Sequence, residues 1–235
     1  MTKKALFISG GWDGHEPVET SEFISEQIKI YNIESKIVND LDVMTDLEYL
    51  KSFDVILPVW TMGQIDDNNW EIKNSKIGNL QEAVHSGVGL AGWHGGMTDA
   101  FRDNTNYQFL VGSQFVCHPG DFVDYEVNII DKHHEIVNGI NDFKVFSEQY
   151  YLHIDPSINI IASTKFNKEY HEWIDGVEMP VAYTKTWGSG KIFHCSIGHY
   201  MKDFENEDVV KLLIQGINWA VKLYEYWDYW VWSNF

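Results

Sequence analysis

The chain has 235 residues, of which 44% are hydrophobic, which is enough to build a substantial core and too many for a disordered chain. Its formal net charge of −18 disfavours nucleic acid and anionic membrane surfaces as partners, because both are negatively charged. Only Cys117 and Cys195 are present, and no apolar run approaches the roughly 18 residues of a membrane span. We therefore expect a cytoplasmic protein with reduced thiols.

The first half of the chain alternates short apolar runs with longer segments in which apolar residues recur at helical spacing. This alternation is typical of a parallel sheet that is covered by helices on both faces. The predicted strands are residues 4–9, 35–38, 54–60 and 88–93, and the predicted helices begin near Glu16–Pro17 and span 46–52 and 75–86. The buried stripe of the first helix is predicted to contain Val18, Ile24, Ile28 and Tyr31.

The second half is rich in β-forming sequence after a short helical segment at 107–111 and a loop at 115–120. The predicted strands are 125–131, 145–153, 158–164 and 180–186, and a turn at 186–191 predicts a hairpin into 192–197. The last predicted helix is 206–223, whose core-facing residues are Val209, Leu213, Ile217 and Ala220. The predicted fold class is therefore α/β, with a mostly parallel central sheet, helices on both faces and a β-rich C-terminal half.

We expect one domain over residues 1–223, followed by an aromatic tail at 224–235. Seven of the twelve tail residues are Tyr, Trp or Phe, and water is an unfavourable environment for that much aromatic surface. Glu225 and Asp228 disfavour anchoring of the tail on anionic lipid. We therefore expect the tail to pack against its own domain or to form a homo-oligomer interface.

Unusual residues follow the ends of several predicted strands, where open α/β sheets bind their ligands. Trp12 and His15 follow the first strand, Trp60 ends the third, and the fourth ends in Gly92-Trp93-His94-Gly95-Gly96. This last segment has the spacing of a nucleophile elbow, with an imidazole in the nucleophile position. Because neither Ser nor Cys stands there, an acyl-enzyme mechanism of this type is not expected. His94 remains an acid or base, a metal ligand or a hydrogen-bonding group.

Further histidines are predicted to meet His94 in space. His118, His153 and His199 lie at strand ends or in loops rich in glycine and proline, whereas His194 lies within a strand and is expected in the core. The other histidines are expected to be solvated or structural; they are His85, His133, His134 and His171.

Glu148 lies within an apolar strand, so its carboxylate needs a cationic, metal or hydrogen-bonding partner, or a raised pKa. It either pairs with Arg102 or a lysine, or acts among the histidines as a general base or metal ligand. No histidines have the H-E-x-x-H spacing, so a metal site depends on the convergence of distant residues. The candidate ligands are His94, His118, Glu148 and His153, and zinc is the expected metal.

Several separated motifs resemble the ThuA-like proteins, which are named for trehalose utilisation. They are residues 92–102, 112–115 with His118-Pro119, 142–153, 179–183 and 196–199, and the similarity covers residues 3–222. The resemblance implies a flavodoxin-related fold like that of class I glutamine amidotransferases, and a role in carbohydrate metabolism. It also implies that His94 and His199 replace the amidotransferase cysteine and histidine, and that Met201 stands in place of the orienting glutamate. Amidotransferase activity is therefore not expected.

We expect an enzyme that acts on a keto-sugar or glycoside, either by acid–base chemistry or with a divalent metal, and without a nucleotide cofactor. The expected catalytic residues are His94, Glu148 and His199. The expected substrate-binding residues are Trp12, His15, Trp60, Trp93, His118 and His153, because indoles stack on sugar rings and polar groups bind hydroxyls. The alternative is a noncatalytic sugar-binding or regulatory protein that retains a degenerate amidotransferase-like site.

Overall fold

The computed structural model describes residues 2–65 and 75–222, which contain a nine-stranded sheet, a separate two-stranded sheet and helices. The strands are β1 (Lys3–Gly11), β2 (Ile33–Val38), β3 (Val55–Thr61), β4 (Gly89–Trp93), β5 (Ser113–Cys117), β6 (Phe122–Ile129), β7 (Phe143–Glu148), β8 (Tyr151–Ile154), β9 (Asn159–Lys165), β10 (Glu178–Trp187) and β11 (Gly190–Cys195). The α-helices are α1 (Pro17–Gln27), α2 (Leu47–Lys51), α3 (Lys76–His85), α4 (His94–Thr98), α5 (Thr105–Val111) and α6 (Glu207–Ala220).

The large sheet has the strand order β2-β1-β3-β4-β11-β10-β9-β6-β7. The strands from β2 to β11 in this order pair in parallel, and those from β11 to β7 pair in antiparallel fashion. The smaller sheet pairs β5 with β8. The predicted α/β fold with a large sheet is confirmed. Seven of the eleven strands, β5 to β11, lie after residue 112 in the described part of the chain.

Helices cover both faces of the sheet because successive side chains of a strand point in opposite directions. Phe7 of β1 packs in one core cluster with Ile24 of α1 and Leu212 of α6. Its neighbour Leu6 packs in a second cluster with Leu80 of α3. Burial of each such side chain contributes about 1.5–3 kcal/mol to the folded state. The two clusters therefore hold the sheet between two layers of helices.

The first helix begins at Pro17, as predicted, but its buried stripe differs from the prediction at Val18. Ile24 is buried, whereas Val18 is half-exposed. The two residues are six positions apart, about one and two-thirds helical turns, so their side chains point in different directions. Thr20 and Ser21 take the inward positions instead.

The predicted strand over 145–153 is two strands that belong to different sheets. β7 ends at Glu148 in the large sheet, and β8 begins at Tyr151 and pairs with β5. The loop predicted at 115–120 likewise begins within β5. This break leaves Glu148 at a strand end rather than in the middle of a strand.

The ends of the strands that carry the chemistry lie at one edge of the sheet. β1, β3, β4 and β11 run in the same direction. Four antiparallel pairings separate β11 from β7, and because each pairing reverses the direction, β7 also runs parallel to β11. Their carboxyl ends therefore point to one side of the molecule. The predicted tail at 224–235 lies outside the described residues. Among the described helices, none combines the length and the apolar character needed to cross a membrane.

Candidate active site

Three histidines and one glutamate meet at the carboxyl edge of the sheet. They are His15, His94, Glu148 and His199, and each offers a nitrogen or oxygen atom within 4.8 Å of the others. His15 follows β1, His94 follows β4, His199 follows β11, and Glu148 ends β7. The predicted convergence of distant histidines with Glu148 therefore occurs for these four residues.

His94 occupies a sharp turn between β4 and α4 and has a left-handed φ of 47°. Such strain in a non-glycine residue is typical of a nucleophile elbow and of functional sites in general. Its Nδ1 lies 2.8 Å from the backbone carbonyl oxygen of Ser196. A carbonyl oxygen can only accept a hydrogen bond, so Nδ1 carries a proton and donates it. On the other side, Nε2 lies 2.7 Å from the hydroxyl of Tyr150. The imidazole is thus held at both nitrogens.

His15 is held within the cluster by a 2.7 Å hydrogen bond between its Nδ1 and Thr61 Oγ1. Its ring can approach α4 closely because residue 95 is glycine: a Cβ atom there would lie only 2.6 Å from His15 Cε1. Burial, together with the neighbouring His94 and His199, lowers the pKa of His15 to about 2. His15 is therefore a neutral ring at physiological pH.

The loop after β11 that carries His199 is anchored by one buried carboxylate oxygen. Asp203 Oδ2 accepts hydrogen bonds from the backbone N–H of His199 at 2.8 Å, from the backbone N–H of Gly198 at 3.2 Å and from the Ser147 hydroxyl at 2.7 Å. Ser147 directly precedes Glu148. This single oxygen therefore joins the His199 loop to the strand that positions Glu148.

The two carboxylate oxygens of Glu148 face different histidines. Oε2 lies 3.1 Å from His94 Nε2 and 3.2 Å from His199 Nδ1, and Oε1 lies 3.5 Å from His118 Nε2. Burial acts to raise the pKa of Glu148, but the interactions with His199 and His94 outweigh it and hold the pKa well below its usual range. The predicted alternative of a pair with Arg102 is wrong, because Arg102 binds Asp99 instead.

This arrangement fits a divalent cation. The neutral form of His94 has a lone pair on Nε2, and the ionised Oε2 of Glu148 faces it, so a positive charge between the two atoms would be stabilised. Within the described residues, the buried His199 Nδ1 makes no well-aligned hydrogen bond. Three imidazoles and one carboxylate form a donor set that suits zinc. A cation at this point would replace the Tyr150 hydroxyl as the partner of His94.

The predicted aromatic binding residues lie in different surroundings. The indole of Trp12 is 47% exposed and its centroid lies 4.8 Å from that of His15, so it borders the cluster. Trp60 is partly buried, and its indole lies against Gly10 and Gly63. Trp93 is only 2% exposed and packs in the core against Phe7 and Phe204, so the prediction that it stacks on a sugar is wrong.

The other histidines named in the predictions lie at the rim of the cluster, outside it or in the core. His118 lies at the rim of the cluster, where its side chain is 30% exposed. His153 is exposed on β8 and lies outside the group of converging ligand atoms, so its predicted place in the metal site is wrong. Strand alternation explains this result, because its neighbour Leu152 is buried and takes the inward position. His194 is fully buried, as predicted.

Sequence reasoning missed four residues that shape the site: Thr61, Phe122, Tyr150 and Asp203. Phe122 lies with its ring centroid 4.9 Å from that of His199, and Tyr150 contacts His94. Tyr150 follows Glu148 by two positions, so strand alternation would have placed both on one face. For Asp203 the sequence offers no local signal, because its partners come from two separate segments.

Fold and site together define an α/β protein with a cluster of three histidines and a glutamate at the carboxyl edge of its parallel strands. The family model ThuA, described as trehalose utilisation, matches residues 4–220, and the chain belongs to this family. Membership implies a role in carbohydrate metabolism. No curated protein sequence matches the chain significantly.

Solved structures share this fold at low sequence identity. A ThuA-like protein from Parabacteroides merdae superposes with a TM-score of 0.72 at 18% identity, covering 96% of this chain and 93% of the other. A ThuA-like protein from Bacteroides uniformis also has a TM-score of 0.72, at 13% identity, covering 93% and 91%. A cytoplasmic protein from Salmonella typhimurium LT2 has a TM-score of 0.62 at 13% identity, covering 94% and 100%. At these identities the similarity concerns the fold alone.

Proposed function

We propose that the protein is an enzyme that converts a keto-sugar or keto-glycoside by acid–base chemistry at the histidine–glutamate cluster. The observation that carries this proposal is the meeting of His15, His94, Glu148 and His199 at one sheet edge. We further propose a flavodoxin-related architecture like that of class I glutamine amidotransferases. The left-handed turn at His94 supports this, because it corresponds to the elbow that holds the nucleophile in those enzymes.

The cluster is also proposed to hold a divalent metal, zinc being favoured by the donor set. The ligands would be His15, His94, His199 and Oε2 of Glu148. When bound, such a metal polarises a carbonyl oxygen and stabilises negative charge on it.

Solvent exposure divides the remaining roles among the residues of the cluster. His94 is 1% exposed and held at both nitrogens, so its role is to position other groups or bind the metal rather than to touch the sugar. His118 and His199 are more exposed and lie on either side of the Glu148 carboxylate. Because His199 is a proposed metal ligand, His118 is proposed as the group that exchanges protons with substrate.

The proposed reaction begins with removal of the acidic proton beside a sugar carbonyl. His118 accepts this proton, and Oε1 of Glu148 stabilises the resulting imidazolium at the 3.5 Å contact. In a 3-keto-glycoside the proton comes from C2 and the glycosidic oxygen is on C1. Cleavage of the C1–O bond then forms a C1=C2 double bond, and the leaving oxygen takes up the proton that His118 holds, which restores the neutral imidazole. Return of the proton to carbon without this cleavage gives isomerisation instead.

Trp12 is proposed to contact the apolar face of the sugar ring. Its half-exposed indole borders His15 and lies with its centroid 6.3 Å from that of His199. An exposed aromatic ring beside polar groups is the arrangement that a sugar requires, since its C–H face is apolar and its edge carries hydroxyls.

The proposal is tested by incubating the purified protein with 3-keto-trehalose and related keto-glycosides, with and without zinc, manganese or magnesium. We expect conversion by the wild-type protein and a loss of at least about 100-fold in His94→Gln, as for removal of a key ligand or positioning group. His153→Gln is the matched control, because His153 is an exposed histidine outside the cluster. Unchanged substrates in every condition, or equal activity in both variants, would overturn the enzyme proposal.

The noncatalytic alternative is distinguished by calorimetry with disaccharides and by metal analysis of untagged protein. Sugar binding without turnover and without bound metal would favour a binding or regulatory protein. Bound metal together with turnover would favour the enzyme.

A further inference from the structure

A cavity of about 450 Å³ lies where β6 separates from β9 in the large sheet. Among the described residues, β6 pairs with β7 over 122–127 but with β9 only at 128–129. The space between the diverging strands is closed by residues 165–174, which begin at the end of β9. None of the four residues of the histidine–glutamate cluster lines this cavity, so it is separate from the candidate active site.

We infer that this cavity binds an aliphatic amine that carries two or more ammonium groups. The inference is independent of the proposed reaction. It rests on three features of the lining, namely carboxylates without an ionic partner, aromatic rings beside them and a buried amide oxygen without a donor. The volume lies within the range of about 300–1,000 Å³ that is usual for small-molecule sites.

Three carboxylates line the cavity from two elements. Asp124 and Glu126 are exposed on β6, and Glu169 is exposed on the segment that closes the cavity. None of the three forms an ion pair with a described residue. Lys165, the one cation in the described lining, lies along Gly176 instead, where a Cβ atom would be 3.5 Å from its Cε. The cavity therefore has unneutralised negative charge on two walls, which favours a ligand with two separated positive charges.

Aromatic rings lie directly beside these carboxylates. Asp124 is opposite Phe146 in the β6–β7 register, and side chains in such positions have Cβ atoms about 4.5–5.5 Å apart. The ring of Phe122 stacks on that of Phe146 with centroids 6.1 Å apart. An ammonium group is attracted both to a carboxylate and to the face of a ring, and the rings also cover the methylene groups of an alkyl chain.

A further ring, the half-exposed side chain of Tyr170, belongs to the closing segment and is held by the loop between β5 and β6. It lies so close to Gly120 that a Cβ atom there would approach the ring to 2.3 Å. Gly120 also has a φ of 90°, a conformation that favours glycine. This aromatic wall is therefore fixed by a backbone position that excludes side chains.

A buried amide supplies the acceptor that distinguishes between kinds of ammonium ion. Gln149 is 7% exposed and lines the cavity, and its Nε2 donates to Thr164 Oγ1 at 2.7 Å and to the carbonyl oxygen of Lys165 at 3.4 Å. A carbonyl oxygen can only accept, so the NH2 group faces these partners, and Oε1 accepts no hydrogen bond from the described residues. A primary or secondary ammonium group can donate to this oxygen, whereas a quaternary ammonium ion has no N–H group.

The test is calorimetry with spermidine at about 0.15 M salt, where a screening length of about 8 Å suppresses diffuse attraction to the acidic chain. We expect wild-type protein to bind spermidine at least about tenfold more tightly than butylamine, which has a single ammonium group. Butanediol, which has none, should not bind measurably.

Asp124→Asn and Glu169→Gln should each weaken spermidine binding by about 3- to 5-fold, the loss expected for one exposed ion pair. Both residues are exposed, so both variants should fold as the wild type does. Glu34→Gln is the matched control and should leave binding unchanged. It also removes one exposed strand carboxylate, but on β2 at the opposite edge of the large sheet.

An equal loss in all three variants would reveal diffuse attraction and overturn the inference. Absence of spermidine binding would do the same, as would equally tight binding of tetramethylammonium, which cannot donate to Gln149. Specific spermidine binding by a protein that leaves keto-glycosides unchanged would support the cavity and refute the proposed reaction. Turnover without spermidine binding would do the reverse.

Discussion

Replacing Asp203 by alanine is expected to destabilise the fold and to release the His199 loop. One buried oxygen of Asp203 accepts three hydrogen bonds, from His199, Gly198 and Ser147. A hydrogen bond to a charged group contributes about 1.5–3 kcal/mol, but bonds that share one oxygen are not additive. We therefore expect the free energy of unfolding to fall by about 3–5 kcal/mol, as for other buried networks. Asp203→Asn keeps an acceptor oxygen and should lose only about 1–2 kcal/mol.

Urea denaturation followed by tryptophan fluorescence measures both losses. Glu205→Ala is the control, because Glu205 is an exposed carboxylate two residues further along the same 3-10 helix, and its loss should stay below about 0.5 kcal/mol. If the alanine variant of Asp203 unfolded within about 0.5 kcal/mol of wild type, or if asparagine and alanine had equal effects, the anchoring role would be refuted.

Three further predictions concern buried groups. Burial raises the pKa of the Cys195 thiol to about 12, so a disulfide reagent should modify only the exposed Cys117 in native protein and both thiols after unfolding; two fast native thiols would contradict this. Burial also lowers the pKa of His194 from 6.5 to about 3, so its stabilising contribution is complete above pH 6.5 and decreases as the pH falls. Urea titrations should show a loss of about 2 kcal/mol from this group between pH 7.5 and 5, absent in His194→Gln; an equal loss in both proteins would exclude it. Gly95→Ala should displace His15 and weaken zinc binding about tenfold in chelator competition, whereas unchanged affinity would disprove the close approach.

The local elements were predictable because their signals are local. Pro17 marks the start of α1, and the apolar spacing of Val209, Leu213 and Ile217 predicts the buried face of α6, all three being buried in the structure. Apolar runs likewise predicted β3 and β4 to within about one residue at each end. The composition of a run does not reveal its partner, however, so the antiparallel order of the later strands could not be predicted.

The candidate site was predictable only in part. Parallel strands bring their carboxyl ends to one edge, which explains why His15, His94 and His199 could be expected together. The predictions for Trp93 and His153 were wrong for the same physical reason. The direction of a side chain at a strand end depends on the pairing register and on where the strand breaks, and neither is encoded in the residue itself.

The sequence alone determined the α/β class, the positions of elements with strong local signals such as β3, β4 and α6, and the absence of a serine or cysteine nucleophile at the elbow, because periodicity and residue identity are properties of short segments. Tertiary structure decided which groups meet. Glu148 reaches the histidines because β7 ends there and runs in the direction of the parallel strands, and Asp203 joins the His199 loop to Ser147, which lies 56 residues away in the sequence. Such contacts arise from the packing of distant strands, and the geometry of a site depends on them.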